Sequence, residues 1–296
     1  MLIGARPLWV LSGLCAGAAS IAVRARRWVQ LLRPVAGVAM GDALSSTAIG
    51  AGAAALLPLR LGEIVRPALL ARRSSIRFSA ALSSVVLERL FDMLFVVLCF
   101  LGLSLVYPLP ETARLAARGL GLGVAGVFVT LIAVQRRRET SDRWIRAILA
   151  RLPASLATRL RPATGGLLDG FRGLGDPYTV VAVCGWSACL WAAIALVFLS
   201  SIVALDIAVP LGPAMLASVV IVAAAVVLPQ APGSVGTWQA GCVIALGLFG
   251  VPSDLAVGYS LLTWILSMTV NIGAAGFFLV REGLSLRDLV SRPEVG

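Results

Sequence analysis

The sequence predicts an all-α, polytopic helical membrane protein made of two inverted repeats, each containing a re-entrant hairpin. Three observations predict it: an apolar composition, a series of apolar segments of spanning length, and two places where such a segment breaks at proline. Of 296 residues, 59% are hydrophobic and 13% charged, with a mean hydropathy of +0.96. That balance excludes an ordinary water-soluble domain. The net charge of +11 rests on Arg, with no Lys. In such a chain basic residues mark cytoplasmic loops, so no nucleic-acid partner is expected. The sequence has no His, which removes the usual general base and the commonest metal ligand. Cys15, Cys99, Cys184, Cys189 and Cys242 lie in apolar segments without metal-ligand spacing and read as small buried hydrophobes. No catalytic residue, metal or cofactor is expected.

The first element is a helix over 7–23. Its sequence lacks a small-residue cleavage site and runs straight into "RARRW", so it reads as a retained span. Residues 24–33 carry four Arg and belong on the cytoplasmic side. The segment 35–71 then raises a conflict. If 35–57 crossed completely, residues 58–78, with five Arg and one Glu, would lie outside. The conflict disappears if 35–57 enters from the cytoplasm, breaks at Pro58 and returns through 59–71. A span over 79–107 follows, then the acidic external turn "PLPET", an extra helix over 113–135 and a basic cytoplasmic linker over 136–178. Within that linker, 143–160 reads equally as an amphipathic helix on the anionic leaflet or as a solvated loop helix.

The second unit repeats the pattern upside down. A span over 179–205 leads through "DIAVP" to 211–250, where Pro229, Pro232, Gly233 and Gly236 crowd into eight residues that no continuous helix tolerates well. This hairpin enters from outside and returns outside, and a last span covers 254–280. The chain is therefore one integral domain over 1–296, with a first repeat at about 7–107 and a second at about 179–280. The tips at Pro58 and Pro229 are expected to meet near the bilayer midplane, as in inverted-repeat transporters. The location is the cytoplasmic (inner) membrane.

Broken backbone at membrane depth survives only where protein buries it or water reaches it. A polar cavity follows, and the half-helix N-termini after each break favour an anion. Arg60, Glu63 and Arg66 stand three residues apart, on approximately one helical face. Arg60 and Arg66 read as phosphate donors with Glu63 holding one of them, against the plainer reading that both snorkel to the interface. Glu88, Arg89 and Asp92 fall near the middle of a spanning helix, where each ionised group costs about 2.5–3.5 kcal/mol and must be paired or wetted. Glu88 and Asp92 share a face, Arg89 reaches Asp92, and the surplus carboxylate calls for Arg60, Arg66 or a proton. The network reads equally as a proton-taking transport site or as a structural ion-pair lock. Asp42 is a further intramembrane acid of the same cavity. Gly233, Gly236, Thr237 and Gln239 supply amides and polar side chains at the second tip, with a purely structural turn at even odds.

"LLPLRLGEIVRPALL", "SSVVLERLFDML" and "LPQAPGSVGTWQA", preceded by "RARRWVQLLRP", together resemble the lysylphosphatidylglycerol synthase transmembrane family, the flippase-like domain of stand-alone membrane proteins. The resemblance spans nearly the whole chain. It implies lipid handling: members fused to an aminoacyl-transferase move charged phospholipid to the outer leaflet, while stand-alone members are tied to other polyprenyl, hopanoid or glycolipid substrates. No such transferase segment is read in this sequence. By position the family pattern lands on Pro58, Arg60, Gly62, Glu63, Arg66, Glu88, Arg89, Asp92, Pro229, Gly233 and Gly236. The sequence departs from it at Leu59, where Gly is frequent, at Gln239, where Glu is frequent, and at Thr263-Trp264, where an Arg is common.

The expected function is that of a lipid flippase or lipid transporter moving a phosphate-bearing lipid of phospholipid, polyprenyl-phosphate or hopanoid type. It is not expected to be an enzyme. Two alternatives stand beside it. An intramembrane lipid-pyrophosphate phosphatase needs a metal-binding carboxylate pair and a nucleophile or base; Glu88 and Asp92 are on offer, but the missing His and the bland second tip count against it. A non-transporting scaffold would hold a lipid-modifying enzyme at the bilayer.

Overall fold

The computed structural model describes residues 4–57, 62–108, 111–136, 171–227 and 231–284. Its regular elements are helical: α1 Pro7–Leu32, α2 Met40–Leu56, α3 Gly62–Arg73, α4 Phe78–Val106, α5 Glu111–Arg136, α6 Pro177–Ala204, α7 Leu211–Val227, α8 Thr237–Gly247 and α9 Ser253–Glu282. Short 3-10 turns occupy Arg172–Gly175 and Pro232–Ser234. Pro58, Leu59, Arg60, Leu61, Leu228, Pro229 and the linker residues 137–170 lie outside the described residues. The expectations placed on those positions, including the amphipathic stretch 143–160, are therefore not described.

Helices α1, α4, α6 and α9 are long and apolar enough to cross a membrane, at 26, 29, 28 and 30 residues. Helix α5 is as long as α1, but its apolar stretch is only Gly121–Val134. Local signals mark several ends. Pro7 and Pro177 occupy first-turn positions, where the missing N–H costs nothing. The Asp176 carboxylate accepts from the backbone N–H of Tyr178 and Thr179 at 3.2 and 3.1 Å, which caps α6. Gly283 closes α9 in the left-handed conformation.

Sequence and structure part at the end of α1. The apolar run stops at Val23, but the helix continues to Leu32 and carries Arg24, Arg26 and Arg27 with it. An Arg-rich turn remains helical here because one of its guanidinium groups finds acids inside the protein.

The order long, short, short, long occurs twice: 26, 17, 12 and 29 residues in α1–α4, and 28, 17, 11 and 30 in α6–α9. Packing exchanges in the same way. Helix α2 lies on α9 as α7 lies on α4, α1 touches α9 as α6 touches α4, and α1 and α6 lie along each other. Helices α1 and α6 run antiparallel. The Arg6 N–H donates to the Ala204 carbonyl at one end, Arg27 meets Ser187 along the way, and Arg33 covers the Tyr178 ring at the other end.

Each short pair is a helical hairpin. Arg73, at the end of α3, bonds Ser45, near the start of α2, and Glu282, at the end of α9. The end of α3 thus returns beside the start of α2. Likewise Ala245 of α8 packs with Ala217 of α7. Among the described residues the first half packs around Trp28, Leu32, Ala43, Leu70 and Val85 and the second around Trp191, Phe198, Val222, Leu246 and Tyr259, while further clusters, such as Leu31, Phe91 and Val183, join the halves. Glycine sets the spacing of the first hairpin, because a Cβ at Gly62 would collide with the backbone of Gly50 and Ala54.

Candidate functional site

Charges from three helices of the first half meet in the interior. Glu88 on α4 is fully buried, and Arg66 of α3 grips it with both terminal nitrogens, Nη1 to Oε2 at 2.5 Å and Nη2 to Oε1 at 3.4 Å. The Arg66 guanidinium lies over the Trp28 ring, 3.9 Å from its centroid. This adds a cation–π contact in a dry setting, where such contacts are strongest. Trp28 is itself fixed by a 2.8 Å hydrogen bond from its Nε1 to Ser84. The carboxylate that holds Arg66 is therefore Glu88, on the next helix.

Arg27 of α1 is the residue that sequence reasoning missed. It is wholly buried, its Nη1 donates to Asp92 Oδ1 at 2.7 Å and to Ser187 at 3.1 Å, and its Nε stands 3.6 Å from Glu88. Arg89 approaches the other Asp92 oxygen at 3.4 Å across the expected i, i+3 spacing. Charges thus alternate along a chain: Arg66, Glu88, Arg27, Asp92, Arg89. Glu63 is close enough to act electrostatically on Arg89. Asp42 stands half-buried in the first turn of α2, and among the described residues no ion pair joins it to this chain.

Such a chain holds three helices together and stores no easy proton donor. Guanidinium groups keep their protons at all working pH, so any proton uptake has to occur on Glu63, Glu88 or Asp92. Breaking one link strands its partner, because a buried charge without a counter-ion is costly. Among the described residues, no group of three His, Cys, Asp or Glu side chains stands where it would hold a metal ion.

The second break, Ala231–Gly236, lies against the end of the first hairpin's leading helix. A Cβ on Gly233 would sit 3.4 Å from the Ala55 carbonyl oxygen, beside Trp264 and Met268. Gly233 has φ +68°, and its carbonyl accepts from Trp264 Nε1 at 2.7 Å. Gly236 has φ +87°; its N–H donates to the Gln239 side chain at 2.7 Å, and the Thr237 hydroxyl donates to the Ser234 carbonyl at 3.1 Å. Both side chains therefore secure the turn that begins α8. Gly233→Ala is expected to destabilise the protein by about 1–2 kcal/mol, the cost of a left-handed non-glycine residue. Thermal unfolding in detergent reads this, with Gly185→Ala, at an open helical position, as the control, where the helix preference for Ala favours the variant by about 0.5–1 kcal/mol.

Two signals in the sequence point to Arg27. The acids of α4 outnumber the Arg on that helix, and Arg24 and Arg27 are spaced to share a face of α1. Trp28, Ser84 and Ser187 carry no signal of their own, since each looks like ordinary core or helix-packing material.

No curated protein and no solved structure matches the chain significantly. A family profile does, and it covers both hairpins, the charged chain and the second break. Matched over residues 1–275 of 296, the chain belongs to the family described as the lysylphosphatidylglycerol synthase TM region.

Proposed function

We propose that the protein moves a phosphate-bearing lipid across the cytoplasmic membrane, using two inverted repeats whose re-entrant hairpins meet inside the bilayer. The observation that carries this reading is the approach of the second break to the last turn of α2, with Gly233 beside the Ala55 carbonyl. Helices of 17 and 12 residues extend about 25 and 18 Å, too short for each to cross a core of roughly 30 Å. A hairpin whose second helix ends beside the start of the first then enters and leaves on one face. Antiparallel α1 and α6, with exchanged packing around them, support inversion of one unit relative to the other.

The charged chain lies close to this junction. Arg66 packs on Gly50, and Gly50 lies five residues, about 7.5 Å along the helix, before Ala55. Family membership supports a lipid-related membrane role. The candidates for contact with the lipid are Arg60, Glu63, Arg66, Gly233, Gly236, Thr237 and Gln239, at the two tips. The phosphatase reading is weaker, because Glu88 and Asp92, the pair it would use for metal, are both engaged by Arg.

Reconstitution into proteoliposomes with leaflet-resolved assay of phospholipids and polyprenyl phosphates tests the proposal. Faster movement of at least one phosphate-bearing lipid than in empty liposomes is expected. No acceleration with folded protein present defeats transport. Release of phosphate from a polyprenyl pyrophosphate by the pure protein would favour the phosphatase.

A further inference from the structure

We infer that the cationic end of the charged chain, Arg24 with Arg89 and the unpartnered N–H groups of Arg27, is a binding site for one phosphate group. Charge balance is the first argument. Among the described residues, Arg24, Arg27, Arg66 and Arg89 carry four positive charges, and the carboxylates that act on them, Glu63, Glu88 and Asp92, carry three. Arg24 is the unbalanced member. It stands one turn before Arg27 on α1, half-buried, and its electrostatic neighbours are Arg89, Asp92, Arg27 and Arg66. Among the described residues it makes no hydrogen bond and no ion pair.

Donor balance is the second argument and is independent of the first. Arg27 Nη2, Arg66 Nε and Arg89 Nε are buried N–H groups without a hydrogen-bond acceptor, Arg27 Nε has only the long 3.6 Å approach of Glu88, and Arg27 is 0% exposed. Each such donor costs about 1–3 kcal/mol when left unmet. Water meets the donors but leaves a positive charge in a low-dielectric interior. An oxyanion meets both deficits. With Arg24's own donors added, the site offers more N–H groups than the roughly four acceptor positions of a carboxylate. A phosphate group presents further oxygens and matches the planar guanidinium fork. Arg24 and Arg89 are half-buried, so the group approaches from their side, while Arg66, clamped on Glu88 and Trp28, forms the back of the site.

The inference rests on the transport reading only for the source of the phosphate, a lipid headgroup rather than the free ion. The test uses the full-length chain in detergent, with thermal unfolding and native mass spectrometry as readouts. The probes are phosphatidic acid against diacylglycerol of the same acyl chains, and inorganic phosphate against chloride at constant ionic strength. Phosphatidic acid is expected to raise the unfolding midpoint and to be retained, and diacylglycerol is not. Arg24→Gln is expected to weaken this binding by about tenfold or more, the worth of one charge-assisted hydrogen-bond pair. Arg26→Gln, the same loss of charge at an exposed position of the same helix, leaves binding at the wild-type level. Where Arg24→Gln does not fold, Arg24→Met is judged by the same criterion.

A shift with inorganic phosphate that also depends on Arg24 assigns the site to a free phosphate group; a shift with the lipid alone assigns it to the headgroup. Equal affinity in Arg24→Gln and wild type, equal loss in Arg26→Gln, or no phosphate-dependent shift with either probe overturns the site. Arg24-dependent binding without lipid movement defeats transport and leaves the site standing. Movement and binding at wild-type levels in Arg24→Gln do the reverse.

Discussion

Glu88→Ala is expected to destabilise the protein by about 3–5 kcal/mol, the range measured when one partner of a buried ion pair is removed. Glu88 is 0% exposed and serves two cations at once, Arg66 at 2.5 Å and Arg27 at 3.6 Å. Its loss leaves Arg66 over Trp28 with no carboxylate and Arg27 with Asp92 alone. The reverse experiment separates pairing from packing. Replacing both partners by apolar residues, as in Arg66→Met with Glu88→Leu, removes the stranded charge, and such replacements are commonly neutral or stabilising. The double variant is expected to recover most of the loss but not all, since Arg27 still lacks its second acid. Thermal unfolding in detergent, with monodispersity as the check on folding, measures both. A Glu88→Ala protein as stable as wild type would show that the buried chain carries no structural weight. Because Glu88 bears on stability so directly, loss of transport in its variants does not by itself report on mechanism, and the half-buried Arg24 is the cleaner probe of lipid contact.

How far the sequence foretold this arrangement depends on whether a signal was local. Helix α4 was legible because three charges in the middle of an apolar span violate the cost of charge in hydrocarbon, and Arg89 does reach Asp92. The two pairs of short helices were legible because proline and glycine interrupt segments that are otherwise apolar. Arg66 was read as a phosphate donor and, beside Arg60 or a proton, as one possible balance for the surplus carboxylate; in the structure it meets Glu88.

Arg27 was hidden by its own context. In a run of four arginines the positive-inside rule accounts for all of them, and the spacing that sets Arg24 and Arg27 on one face of α1 does not tell that face to be buried while Arg26 is exposed. The distinction is made by Asp92 and Ser187, 65 and 160 residues away. The same holds for Trp28 and Trp264, whose indole N–H groups find Ser84 and the Gly233 carbonyl only once the helices have packed. Gln239 and Thr237 were read as possible ligands for their polarity. One hydrogen bond of each serves the turn, a local role that the Gly236–Gln239 spacing already permits.

Gly62→Ala is expected to damage the fold more than any other single methyl group tested at the described glycines. A Cβ there meets the Gly50 carbonyl oxygen, the Ala54 nitrogen and, at 2.7 Å, the Ala54 Cα. All three are backbone atoms, so no rotamer change relieves the overlap, and α2 and α3 have to separate. Overpacking of a tight interface costs about 1–3 kcal/mol and occasionally more; with backbone on both sides, about 3 kcal/mol is expected. Separation also carries Arg66 outward, since Arg66 packs on Gly50 across the same interface, and its grip on Glu88 loosens with it. Two readouts should therefore fall together: the unfolding midpoint in detergent and, under the transport proposal, lipid movement in proteoliposomes. Gly102→Ala is the control, because nothing lies within 4 Å of its added Cβ; there the helix preference for Ala over Gly, about 0.5–1 kcal/mol, acts alone and favours the variant. If Gly62→Ala and Gly102→Ala unfold at the same temperature, the two helices are not in backbone contact at Gly62, and the position of Arg66 beside the junction of the two hairpins loses its support.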